Sequence, residues 1–144
     1  TRMVRAGIAD RRVKALGGTI ECLRTQPGVT SAAIRAGIPR SRAAMFLAEP
    51  KYMGAIVVLG GAPAALLTLM EMMDDMFSLT SRPTLIIGMP AGFADAAEAK
   101  ALLEASPWTM LTVRGSKGGP ALAAAAANAL MEIALRERER EGSL

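Results

Sequence analysis

From residue 55 onward the chain repeats one scheme three times: a short apolar run, a turn containing Gly or Pro, and a helix-forming stretch. Ala55-Ile56-Val57-Val58-Leu59 is too short for most helices and rich in β-branched residues, so it reads as a buried strand. It leads through Gly60-Gly61-Ala62-Pro63 into an amphipathic stretch ending near Asp75. Thr84-Leu85-Ile86-Ile87 does the same through Gly88-Met89-Pro90-Ala91-Gly92-Phe93, with a helix expected from Asp95. Thr109 to Val113 follows suit through Arg114-Gly115-Ser116-Lys117-Gly118-Gly119-Pro120 into a long alanine-rich helix. Strands joined through helices lie parallel, so the expected fold is α/β: an open, mainly parallel sheet with helices on both faces, a Rossmann-like three-layer sandwich. A chain of 144 residues is expected to form one such domain.

The first fifty residues are less regular. Helices are expected at Arg2 to Ala6, at Thr30 to Ala36 and from Ser41 to about Ala48, the last two separated by the Gly37-Ile38-Pro39 turn. A short strand is expected at Thr19 to Leu23, which brings the sheet to at least four strands. The opening helix has no strand before it and the first residue is Thr, so an N-terminally truncated domain is expected. Residues 136–144 alternate Arg and Glu before Gly142, a pattern that pairs at i,i+3 or i,i+4 and reads as a final helical turn and a solvated charged tail.

Composition narrows the chemistry. With no histidine, the chain has no imidazole to act as acid, base, nucleophile or metal ligand. Cys22 is its only cysteine, which excludes an internal disulfide and a cysteine-based zinc site. A reducing cytoplasmic setting is expected, without a signal segment or membrane span. The net charge of +4 suits an anionic ligand and is too small to demand nucleic acid.

In an open parallel sheet, ligands collect at the carboxyl ends of the strands. All three turns lie there, each followed by a helix start with unpaired N–H groups, so together they form a candidate anion-binding rim, with Arg114 and Lys117 flanking the last turn. The plainer reading is that tight turns simply need Gly. Gly60-Gly61-Ala62-Pro63 is not G-x-G-x-x-G, and the 114–119 turn lacks the spacing and final Ser/Thr of a P-loop. Asp95 and Glu98 have capping-box spacing, so Glu98 either closes a helix or meets a ligand. Ser41 is either a helix N-cap or a substrate hydrogen-bonding group, and Arg40 suits a carboxylate. Met70, Met72, Met73 and Met76 share one helix and read as core or interface, Ala121 to Ala127 as close helix packing, and Asn128 as a hydrogen-bonding residue or subunit contact.

Val57 through Leu66, Ile87 through Phe93 with Ala96-Ala97-Glu98-Ala99-Lys100, and Arg114 through Gly119, together with Met3-Val4-x-x-Gly7-Ile8 and Arg40-Ser41-x-Ala43-Ala44, resemble precorrin-8X methylmutase, the precorrin isomerase of cobalamin biosynthesis. The resemblance covers nearly the whole chain. It implies an isomerase that shifts a methyl group from carbon eleven to carbon twelve of a tetrapyrrole macrocycle, giving hydrogenobyrinate or its cobalt equivalent, without a cofactor and as a homodimer. By that resemblance the substrate is held by Thr1, Met3, Arg40, Ser41, Gly60, Gly61, Gly88, Pro90, Gly92, Phe93, Glu98, Arg114, Lys117 and Gly118, with Met89 and Phe93 as apolar contacts to the ring. The Met-rich or the Ala-rich helix would contribute to the dimer contact.

The family's catalytic histidine belongs to an N-terminal segment, so the resemblance makes this chain the C-terminal two-thirds of such an enzyme, without its acid. Where the family usually carries Asn, Thr, Val, Ser, Arg and Ser, this chain has Gly61, Ala64, Ala91, Ala99, Ser116 and Pro120. The lost polar groups imply altered affinity, and a non-catalytic homologue that binds a corrinoid or another tetrapyrrole is the alternative expectation.

Overall fold

A computed structural model describes residues 1–75 and 82–143. Three short parallel strands, β1 (Ile56–Leu59), β2 (Leu85–Gly88) and β3 (Met110–Thr112), form a sheet in the order β1-β2-β3. The register pairs Val57 with Ile86 and Ile86 with Met110, and Val58 with Ile87 and Ile87 with Leu111. Because successive side chains alternate, the first set faces one side of the sheet and the second set the other.

Among the described residues seven α-helices surround the sheet: α1 (Arg2–Gly7), α2 (Asp10–Ala15), α3 (Val29–Ala36), α4 (Arg40–Leu47), α5 (Pro63–Asp75), α6 (Ala96–Ala105) and α7 (Pro120–Gly142), with α3 packing on α4. Val57 and Ile86 share a core with Met45 of α4, Leu66 and Leu69 of α5, and Leu103 of α6. Ile87 and Val58 join the opposite core with Val4 of α1 and Ala123, Ala124 and Ala127 of α7. The layers are thus helix, sheet, helix, as the three strand–turn–helix units require. Pro63 and Pro120 open α5 and α7 at the position where a missing N–H costs nothing.

Alanine lets α7 lie close to its neighbours. A Cβ at Gly7 would come within 2.7 Å of the Ala124 Cβ, so the end of α1 rests directly on α7. Asn128 clamps the turn after α1: its Oδ1 accepts from the Ala9 N–H (2.9 Å) and its Nδ2 donates to the Gly7 carbonyl (2.8 Å). Arg12 of α2 pairs with Glu132 of α7 at 2.8 Å, and the hydrogen bond from Arg12 holds the Glu132 carboxyl below its ordinary range.

Two details differ from the sequence expectation. Thr19 to Leu23 forms no strand, and the sheet has three strands among the described residues rather than four. Ile20 reaches the α7-side core and Leu23 the α4-side core, so the segment passes from one face to the other without pairing along β1. Asp10–Ala15 forms α2, which no sequence signal had marked. The charged end is the last part of α7, which continues to Gly142 and carries Glu132–Arg136 and Glu137–Arg140 pairs on its exposed surface.

Met70 is half-buried and Met72 and Met73 are in the core, while Met76 lies outside the described residues. Among the described residues no helix is long and apolar enough to cross a membrane. Ile86→Ala is expected to lower unfolding free energy by about 2–5 kcal/mol. Asn128→Ala, which strips partners from two backbone groups, should cost about 1–3 kcal/mol. Urea unfolding checks both.

Candidate functional site

The three turns meet at the carboxyl ends of the strands and are stitched together through their backbones. The Met89 N–H donates to the Leu59 carbonyl (2.7 Å), the Gly119 N–H to the Met89 carbonyl (2.7 Å), and the Gly92 N–H to the Ser116 carbonyl (3.1 Å). Such contact demands residues without side chains. A Cβ at Gly60 would fall 2.8 Å from the Gly119 carbonyl oxygen and 2.7 Å from the Pro120 Cα. At Gly118, where φ is +152°, it would fall 2.5 Å from the Met89 carbonyl oxygen. Gly88 is packed likewise beneath Leu66 and Leu103. Gly60, Gly88 and Gly118 therefore act first as packing residues, and the rim follows from that packing.

The rim offers donors. Among the described residues the N–H groups of Gly60, Gly61, Phe93, Lys117 and Gly118 have no acceptor. The Lys117 side chain is exposed beside them, and the Phe93 ring stands clear of the protein surface at 105% relative exposure. Pro90 is buried beneath this edge and Gly92 lies on it. Amide donors, one cation and an exposed aromatic ring suit a ligand that is both anionic and flat or apolar.

Thr1 joins the same rim from the other side, its Cγ2 lying 2.6 Å from where a Gly61 Cβ would be. Its hydroxyl caps α1 by accepting from the Val4 N–H at 3.3 Å. From there an apolar groove of about 740 Å³ runs along the free edge of β1, lined among others by Thr1, Ser41, Tyr52, Val58, Gly60 and Gly61. Nothing in the alternation of the sequence marked this groove, because it exists only where strand, loop and two helix layers meet. The Tyr52 hydroxyl donates to the Met45 carbonyl (2.6 Å) inside the core, and burial, helped by the Glu49 charge, holds its phenol well above the usual range.

The other expected site residues are more scattered. Ser41 is the second residue of α4, with Pro39 at the N-cap position, so its hydroxyl is not a cap, and the residue lines the groove. Arg40 donates to the Arg24 carbonyl at 3.3 Å on the surface. Met3 is exposed on α1. Arg114 is held by Glu104 through Nε contacts of 2.9 and 3.1 Å, and these hydrogen bonds keep the Glu104 carboxyl below its ordinary range. Glu98 is exposed in the first turn of α6, and the expected capping box does not form: Asp95 adopts a left-handed conformation (φ 62°) and its side chain makes no cap bond. Met89, expected as an apolar contact to the ring, packs in the core with Val4, Ile87 and Ala123.

Lys100 escaped the sequence reading. A lysine in a helical repeat normally faces water, yet here it is 1% exposed on the inner side of α6, and its Nζ donates to the Lys117 carbonyl. Burial lowers its pKa. Only the tertiary fold, which lays the 114–119 turn across α6, gives this ammonium a partner.

A family model described as precorrin-8X methylmutase matches residues 1–133. The precorrin-8X methylmutase of Pseudomonas aeruginosa is 40% identical over 133 residues, covering 90% of this chain and 61% of that protein. The cobalt-precorrin-8 methylmutase of Methanothermobacter thermautotrophicus is 35% identical, covering 91% of this chain and 58% of that protein. The solved structure of a precorrin-8X methylmutase from Thermus thermophilus superimposes with a TM-score of 0.83 at 33% identity, covering 95% of this chain and 65% of its own. The chain thus spans about three-fifths of the length of the curated relatives it matches. The likeness extends from the helix at Arg2 through all three strand–turn–helix units, and by that extent the chain belongs to the precorrin-8X methylmutase family.

Proposed function

We propose that this chain supplies the substrate cradle for the methyl shift that turns precorrin-8X, or its cobalt equivalent, into hydrogenobyrinate or the cobalt product. The observation that carries the reading is the convergence of three backbone-stitched turns on one donor-lined rim, continuous through Thr1 and Gly61 with an apolar groove. A corrin macrocycle is a large apolar ring with carboxylates around its edge. The half-buried Gly61 and Gly118 amides and the Lys117 ammonium take up carboxylates, and the Phe93 ring covers macrocycle surface. Arg40 adds a guanidinium to the periphery. Homodimers and a cytoplasmic setting accompany this reading.

These residues bind and orient the ring; none of them is an imidazole that protonates it, because the 144 residues contain no histidine. That same count favours a second reading, a corrinoid-binding homologue that does not isomerise its ligand. The two readings part on one experiment: adding, in trans, a polypeptide that carries the family's histidine-bearing segment restores turnover under the first and not under the second.

Titrating the purified chain with hydrogenobyrinate, followed by absorbance, is expected to show saturable binding, whereas incubation with precorrin-8X alone should give no product. Failure to bind would overturn the cradle, and turnover by the chain alone would overturn the requirement for an imidazole. Arg40→Ala is expected to weaken hydrogenobyrinate binding by about 1–3 kcal/mol, the value of a charge-assisted hydrogen bond. Unchanged affinity would remove Arg40 from the cradle.

A further inference from the structure

Among the described residues Lys100 is the one fully buried charged side chain. It lies beside Ala96, Ala99 and Leu103 on the face of α6 that packs inward. An apolar side chain of the same length fills such a place without the desolvation penalty of an ammonium, so the position is expensive unless its hydrogen bond does something packing alone does not. The bond goes to the Lys117 carbonyl, in the middle of the third turn.

Peptide planarity turns that bond into a statement about direction. In a trans peptide the carbonyl and the following N–H point opposite ways. Holding the Lys117 carbonyl inward therefore aims the Gly118 N–H away from the buried ammonium, where it has no acceptor among the described residues. The preceding peptide is fixed in the same manner, since the Ser116 carbonyl accepts from the Gly92 N–H and the Lys117 N–H is aimed away from it. The Gly119 N–H then closes on the Met89 carbonyl. Three successive peptides of the turn are thus pinned from one side, and Gly118, with no room for a Cβ against Met89, cannot flip without breaking that contact.

We propose that Lys100 is a positioning residue: through the Lys117 carbonyl it locks the second and third turns together and presents the Lys117 and Gly118 amides to a carboxylate of the bound macrocycle. The inference rests on the cradle reading for the identity of the ligand, and on backbone geometry alone for the lock.

Amide hydrogen exchange and hydrogenobyrinate titration of wild type, Lys100→Met and Lys100→Arg test it. In Lys100→Met the Gly92 and Gly119 amides are expected to exchange about tenfold faster or more while those of β2 stay protected, with affinity falling about tenfold and the melting temperature no lower than wild type. Lys100→Arg, which keeps a cationic donor, should recover part of both. Wild-type protection at Gly92 and Gly119 in Lys100→Met overturns the lock. Uniformly faster exchange with a lower melting temperature and unchanged affinity reduces Lys100 to a packing residue, and overturns the proposal as well. Should Lys100→Met not fold, the same two amides are read by the same criterion in Lys100→Gln, whose shorter side chain falls short of Lys117. Failure of the wild type to bind hydrogenobyrinate counts against the cradle, and the exchange result still decides the lock.

Discussion

Ile86 and Ile87 sit next to each other in β2, both without exposed surface, and face opposite helix layers. A strand with neighbours on both edges and helices on both faces has no solvated side left, so every adjoining element must pack against it. On one side Leu66, Leu69 and Leu103 fill the space, which fixes α5 and α6 over the sheet. On the other, Ala123, Ala124 and Val4 do so, and the small residues of α7 bring α1 close enough for Gly7 to touch it. Removing volume at β2 therefore loosens both layers together.

The rim inherits its geometry from this arrangement. The carboxyl ends of the three strands lie side by side, so the turns that follow them are forced into contact, and only Gly at 60 and 118 allows the approach. Once in contact, their carbonyls are consumed by one another: Leu59 by Met89, Met89 by Gly119, Ser116 by Gly92, Lys117 by Lys100. Using the acceptors internally leaves donors on the outside. The row of N–H donors without acceptors is thus a property of the packed turns, not of any single side chain.

Much of this was legible in the residue order. The β-branched runs at 56–59 and 85–88 gave strands within one residue of the expected bounds, because an apolar run of that length has no other way to bury itself beside a helix on each face. That the three turns would lie together at the carboxyl ends of the strands was legible for the same reason. The roles within the site were not. Gly60 and Gly118 also pack turn against turn, Met89 packs in the core, and Asp95 stands at the N-cap position of α6 in a left-handed conformation without a side-chain cap bond. The packing of Gly60, Met89 and Gly118 is set by segments that lie apart from them in the chain.

By itself, then, the sequence determined the strand–turn–helix order, the parallel sheet, the absence of imidazole chemistry in these residues and the likeness to its family, since all of these depend on residue type and spacing along the chain. Tertiary structure alone decided which glycines are filled space and which amides are free, that Thr19 to Leu23 crosses beside the sheet instead of joining it, and that Lys100 is buried. The physical reason is the range of the contacts involved. Helix and strand periodicity is set by neighbours a few residues away, whereas the fate of a polar group is set by whichever backbone the fold lays against it, and for Lys100 that backbone is seventeen residues further on.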